Sequence, residues 1–177
     1  MAEYLRPEII PEDDDLVGVD ILEQMEDTSI FSWLKEDLTE AEFNSLQPTQ
    51  VVFGMIENEH AEDLVEKHPR PFVCLYKVGS DCMIGFQITS SNSSPLCKYP
   101  LKDWQSYSLR KPSFVNIHHI VKVYRRELKF THAQNLSEQD VRGLVEFMYK
   151  LDRHNKITGY SPAYNIKAEA DYLANKI

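Results

Sequence analysis

After Pro48 the hydrophobic pattern of the chain changes period, and that change limits the fold more than any other feature. Val51-Val52-Phe53-Gly54-Met55-Ile56 is a short β-type run. Pro71 to Lys77, with Phe72-Val73-Cys74-Leu75-Tyr76, predicts a second strand, and Cys82 to Thr89, with Met83-Ile84-Gly85-Phe86-Gln87-Ile88, a third. β-Branched and aromatic side chains dominate all three, as a pleated surface favours. Glu57 to Pro69 reads as a polar connection, Gly79-Ser80-Asp81 as a turn, and the serine-rich stretch from Ser90 to Pro95 as a loop. Leu101 to Trp104 carries no clear signal. Pro112 then precedes Ser113-Phe114-Val115-Asn116-Ile117, whose alternation suits a strand with one solvated face, and Ile120-Val121-Lys122-Val123-Tyr124 reads as another.

From Asn135 the period lengthens. Asn135-Leu136-Ser137 looks like a turn and cap, Glu138 and Asp140 suit the positive end of a helix dipole, and Val141, Leu144, Val145 and Met148 recur on one face. A weaker helix passes through Ile166, Ala170 and Leu173. Five or so short strands followed by a packed helix predict a mainly β, α+β fold, a small antiparallel barrel with a C-terminal helix.

Charge divides the chain at the same place. Up to Pro48 there are fourteen Asp and Glu against only Arg6 and Lys35, whereas the remainder holds seventeen Lys and Arg against fourteen acids. The excess of positive charge is crowded between Lys98 and Lys129, so a net charge of -9 conceals a segment suited to a polyanion such as RNA. The Glu12-Asp13-Asp14-Asp15 run predicts an extended start. Thr28 or Ser29 then caps a helix bearing Ile30, Phe31, Trp33, Leu34 and Leu38, and Thr39-Glu40-Ala41-Glu42 opens a second turn toward Phe43 and Leu46. The expected organisation is an acidic helical extension over 1–48, a barrel over 49–151 and a C-terminal extension over 152–177. Cys74, Cys82 and Cys97 form neither an even set nor a CxxC pair, so neither a disulfide framework nor a zinc site is expected, and no metal or cofactor is assigned. With no membrane-length apolar run and no signal pattern, a soluble cytoplasmic protein is the expectation.

Four pieces in order carry a resemblance: Arg70-Pro71 entering an apolar strand, Ile88-Thr89-Ser90 leaving the next, Pro112-Ser113-Phe114-Val115 leading to Ile120 through Leu128, and Leu136-Ser137 opening a helix. Over about Val51 to Leu151 the chain resembles the PemK/MazF family of toxin endoribonucleases. The resemblance implies an SH3-like barrel, usually a homodimer, that cuts single-stranded RNA without metal and is held in check by a cognate antitoxin. It also implies catalytic roles for Arg70 and Thr89. A long, acidic Glu57–Lys67 connection and the extensions at both ends depart from the family pattern. A catalytically silent barrel that binds protein or nucleic acid is the alternative.

The chemistry can be read beside the resemblance. RNA cleavage without metal needs neutralisation of charge building on the phosphate oxygens, together with proton transfer from the 2′-hydroxyl and to the leaving 5′ oxygen. Arg70 offers a planar fork of donors for transition-state stabilisation, and its high pKa makes it a poor base. Thr89 offers a compact hydroxyl on a rigid strand end. Ser90 and Ser91 either belong to a plain loop or add donors around a phosphate, and of His118 and His119 one at most can face RNA if their strand continues. Lys98, with Lys102, Arg110, Lys111, Arg125, Arg126 and Lys129, forms either a solvated fringe or a phosphate-tracking groove. Ser90, Ser91, Lys98 and His118 are the expected substrate contacts. The segment 28–47, with its aromatics among acids, is expected either to dock on the barrel in place of RNA or simply to cover a barrel edge.

Overall fold

A tight turn at Gly79–Asp81, with Gly79 in the left-handed region at φ 67°, joins the two central strands of the sheet. The computed structural model describes residues 38–57, 67–128 and 133–177. In chain order these form α1 (Glu40–Ser45), β1 (Gln50–Glu57), β2 (Lys67–Val78), β3 (Cys82–Thr89), β4 (Lys98–Pro100), β5 (Phe114–Tyr124), β6 (Gln134–Asn135), α2 (Glu138–Thr158) and α3 (Ile166–Ala174). One antiparallel sheet holds six strands in the order β4-β5-β3-β2-β1-β6, a mainly β, α+β architecture.

Register decides which side chains each face buries. Val51 pairs with Val73 and Val73 with Phe86, so these three share a face, where they pack with Ile88, Val115, Leu144, Met148, Ile166 and Leu173 under the two long helices. The alternate residues Val52, Phe72, Met83 and Val123 point the other way and pack with Leu38, Phe43 and Leu46 around α1. Both faces are therefore covered. The second face is further enclosed by curling: Gly54 of β1 bridges Leu128 just beyond β5, and a Cβ on Gly54 would lie 2.7 Å from Val123 Cγ1. The missing side chain lets the two strands approach.

Thr39 caps α1, accepting from the Glu42 N–H at 3.2 Å while Glu42 returns a carboxylate to the Thr39 N–H at 2.8 Å. This is the short turn expected at Thr39. The preceding helix expected from Thr28 lies, except for Leu38, outside the described residues, as does most of the Glu57–Lys67 connection.

Three expectations are corrected. The second strand begins at Lys67 rather than Pro71, because before Phe72 it pairs only with β1 and so accommodates Pro69 and Pro71. The segments Ser113–Ile117 and Ile120–Tyr124 are one continuous strand, interrupted by a shift of register against β3 between Phe86 and Ile88. The Ser137-capped helix continues to Thr158, through the boundary placed at 151. The C-terminal helix follows and is anchored by Tyr172 donating to the Leu75 carbonyl at 3.1 Å and by Tyr164 donating to the Ile117 carbonyl.

The N-terminal half of α2 is held by polar contacts. Asp140, fully buried in its first turn, accepts hydrogen bonds from the hydroxyls of Tyr99 and Tyr107. Tyr99 reaches it by lying across Gly143, where a Cβ would meet the phenol oxygen at 2.2 Å. Replacing a helical glycine by alanine ordinarily stabilises by up to ~1 kcal/mol. Gly143→Ala should instead lower stability by about 1–3 kcal/mol in urea unfolding, since the phenol can clear the added methyl only by leaving its hydrogen bond to Asp140.

Candidate functional site

The ends of β2 and β3 farthest from their turn carry the first two candidate residues. The ladder between the two strands ends at the pair Phe72–Gln87, and Arg70 and Thr89 each lie two residues beyond it. Gly54 flanks Arg70 on one side and Phe114 flanks Thr89 on the other. Both residues are largely buried, at 7% exposure for Arg70 and 8% for Thr89, and the Arg70 Nε has no hydrogen-bond partner among the described residues.

Where β3 ends the chain turns through the serines. The Thr89 hydroxyl accepts from the Ser91 N–H at 3.1 Å, a local turn that fixes the hydroxyl's position. Ser91 and Ser93 share a hydrogen bond between their hydroxyls at 3.0 Å. Lys98, also 7% exposed, donates from Nζ to the Ser91 carbonyl at 2.8 Å and to the Ser93 hydroxyl at 3.3 Å. Its ammonium therefore staples the serine loop. Ser90 differs: its Oγ is buried without a partner.

Thr89 and Ser90 line a pocket whose other walls are Phe53, Pro71, Ile88, Ser108, Leu109, Arg110, Lys111 and Ser113. The pocket holds a space of about 50 Å³ and is partly open to solvent. An apolar floor meets a rim of hydroxyls and two cations, and no carboxylate is among these lining residues. Such a surface favours an anion attached to something less polar. Arg70 stands beside this pocket without lining it, since its neighbour Pro71 does so from the other face of the strand.

His118 goes elsewhere. Its ring stacks on Tyr160, just past the end of α2, with centroids 5.0 Å apart and planes at 22°, and its Nε2 is buried without a partner. The strand does continue through both histidines, as the sequence reading required for them to diverge. The described part of the segment 28–47, Leu38 to Gln47, also stands apart from the pocket. Phe43 lies under Lys77, whose Nζ donates to the Asn44 carbonyl, and Lys77 pairs with Met83, six residues or roughly 20 Å along β3 from Thr89.

The pocket's second wall, Ser108 to Ser113, escaped the sequence reading as a unit. Arg110 and Lys111 were recognisable only as members of a basic stretch, because nothing in residue spacing relates them to Thr89. Pairing of Phe114 with Thr89 is what folds this stretch back onto the end of β3. Among the described residues no three His, Cys, Asp or Glu side chains gather in a way that could hold a metal ion. All three cysteines are buried free thiols, and burial pushes the Cys74 thiol up to about 12. Neither a family model nor a curated protein matches the sequence.

Burial holds the His118 imidazole below its ordinary pKa. An unfolded chain binds a proton near pH 6.5, before the folded protein does, so the stability carried by neutral His118 is present above that pH and drains away as pH falls through it. The urea midpoint measured between pH 7.5 and 5.5 should therefore decline less steeply in His118→Phe, which retains the stack on Tyr160, than in the wild type.

Proposed function

We propose that this protein is a metal-independent endoribonuclease of the PemK/MazF kind, built on an SH3-like barrel and acting on single-stranded RNA as the toxin of a toxin–antitoxin pair. One observation carries the reading: Arg70 and Thr89 lie at the same end of one hairpin, each two residues past its last pair, and the Arg70 Nε is a buried donor without an acceptor among the described residues. A buried charged donor left in that state is costly unless an anion completes it. The resemblance assigns catalytic roles to the same two residues, independently of the register. The adjoining rim of Ser90, Arg110 and Lys111 gives the neighbouring phosphates a place to lie.

The chemistry follows from the groups. In metal-free cleavage the ribose 2′ oxygen attacks phosphorus and loses its proton, while the bond from phosphorus to the 5′ oxygen breaks and that oxygen gains one. The non-bridging oxygens gather charge in between. Arg70 meets that charge with a planar fork of donors already fixed by the strand and requiring little reorganisation. The Thr89 hydroxyl, pinned by the Ser91 N–H at the end of the neighbouring strand, would add a further polar contact. Because the nucleophile is the 2′ oxygen, DNA is not a substrate.

A barrel that holds RNA without cutting it is the second reading, and the burial of both Arg70 and Thr89 favours it. A long unstructured RNA incubated with the protein in EDTA separates the two. Discrete fragments ending in a cyclic phosphate support the nuclease, whereas intact RNA with retarded mobility supports the binder. Arg70→Met, which keeps the apolar stem, should reduce the cleavage rate roughly 10²–10³-fold without loss of the folded state by circular dichroism. Thr89→Val should reduce it as well, and a 2′-deoxy substitution at the cut site should abolish it.

A further inference from the structure

The Arg110–Lys111 wall of the pocket hangs between two fixed points. At its downstream end Phe114 pairs with both Thr89 and Pro100, the Ser113 carbonyl accepts from the Leu101 N–H at 3.0 Å, and the Ser113 hydroxyl donates to the Lys111 carbonyl at 2.8 Å. At its upstream end the wall emerges from Tyr107 through Ser108, a non-glycine residue in the left-handed region at φ 59°. At that upstream end Tyr107 is buried in the core and its turn lies against β6. Asp140 adds a polar anchor: its Oδ1 accepts from the Tyr99 hydroxyl at 3.0 Å and the Lys102 N–H at 2.8 Å, and its Oδ2 from the Tyr107 hydroxyl at 2.6 Å and the Asp103 N–H at 3.0 Å. Tyr107 in turn accepts from the N–H of Ser137, the cap of α2, at 2.9 Å.

Every donor but the Tyr99 hydroxyl belongs to the segment Lys102–Tyr107 that leads directly into the wall. A carboxylate with four donors, no exposure and a place on a rigid helix turn fixes that segment far more firmly than a single capping contact would. Burial, and then the hydrogen bond to Asp140, push the Tyr107 phenol up to about 12, so it remains a donor at every ordinary pH.

We propose that Asp140 is a positioning residue for the pocket: through Tyr107 and the Lys102–Asp103 amides it sets the Arg110–Lys111 wall against Thr89 and Ser90, and so governs how tightly an RNA phosphate is held. The inference rests on the nuclease reading for its ligand, but its geometry does not. Asp140→Asn removes one acceptor while preserving shape, and Tyr107→Phe removes one donor while leaving the carboxylate in place. Amide hydrogen exchange should accelerate at Leu109, Arg110 and Lys111 in both variants, with protection in β2 and β3 unchanged. With RNA, KM should rise roughly tenfold while kcat changes little. On a Lys111→Ala background, Asp140→Asn should add almost nothing, because its effect passes through the wall already disabled. Unchanged exchange at residues 109–111, or fully additive KM effects, would overturn the proposal. If the wild type neither binds nor cuts RNA, the functional reading fails, and the exchange measurement alone then decides the positioning role.

Discussion

Because Phe72 pairs with Gln87, alternate residues of β2 and β3 are divided between two buried faces, and nearly everything else in the molecule follows from that division. A slip of one residue would turn Val73, Phe86 and Ile88 away from the helices and drive Gln87 beneath them. It would also shift Arg70 along the hairpin relative to Thr89. The tight turn at Gly79 starts the hairpin in that register, and the two-sided burial of its strands holds it there. Core and candidate site are thus specified by one pairing.

The C-terminal extension belongs to the same solution. Two register shifts interrupt the central ladders, one in β2 between Cys74 and Tyr76 and one in β5 opposite the interval between Phe86 and Ile88. The first takes Leu75 out of regular pairing, and the second leaves Asn116 to His119, Ile117 among them, without partners on β3. The Leu75 and Ile117 carbonyls are the ones that accept from Tyr172 and Tyr164. A buried carbonyl without a partner is costly. The segment beyond α2 therefore supplies hydroxyls where the sheet has lost its own donors, while its Ile166, Ala170 and Leu173 complete the core beneath them. The residues after 151 are part of what makes the bulged sheet stable, and the irregularities of the sheet explain why tyrosines line the extension.

Much of this was legible in the sequence and some was not, for physical reasons. Cys82–Thr89 and Glu40–Ser45 were readable because local rules dominate there, strand propensity in one and a reciprocal cap between Thr39 and Glu42 in the other. β4 and β6, three and two residues long, carry no period at all. β5 read as two strands because its bulge puts Ile117 and Ile120, three apart, toward the same core and so breaks the alternation. Asp140 read as an acid favouring a helix dipole, which is true of its position but misses its four donors, all supplied from more than thirty residues upstream. At the site, Arg70 and Thr89 were named from motif order. Arg110 and Lys111 were not tied to them, since only the fold-back of Phe114 onto Thr89 makes them neighbours.

Two buried polar centres lie on either side of the same loop, and they differ in a way that separates support from function. Around Asp140 both carboxylate oxygens are satisfied, and the tyrosines that serve them are neutral. Such a closed network adds stability and order but has no capacity left for a ligand. At the strand ends, Arg70 Nε and Ser90 Oγ are withdrawn from water and lack partners among the described residues. Proteins accept that cost mainly where something else must bind, because the same side chains replaced by apolar ones would fold at least as well. Of the two open groups Ser90 lines the pocket whose far wall the closed centre holds, so the rigidity of the first centre becomes the preorganisation of the pocket. An anion entering the pocket then meets donors that need not move to receive it, which is where electrostatic stabilisation is most effective.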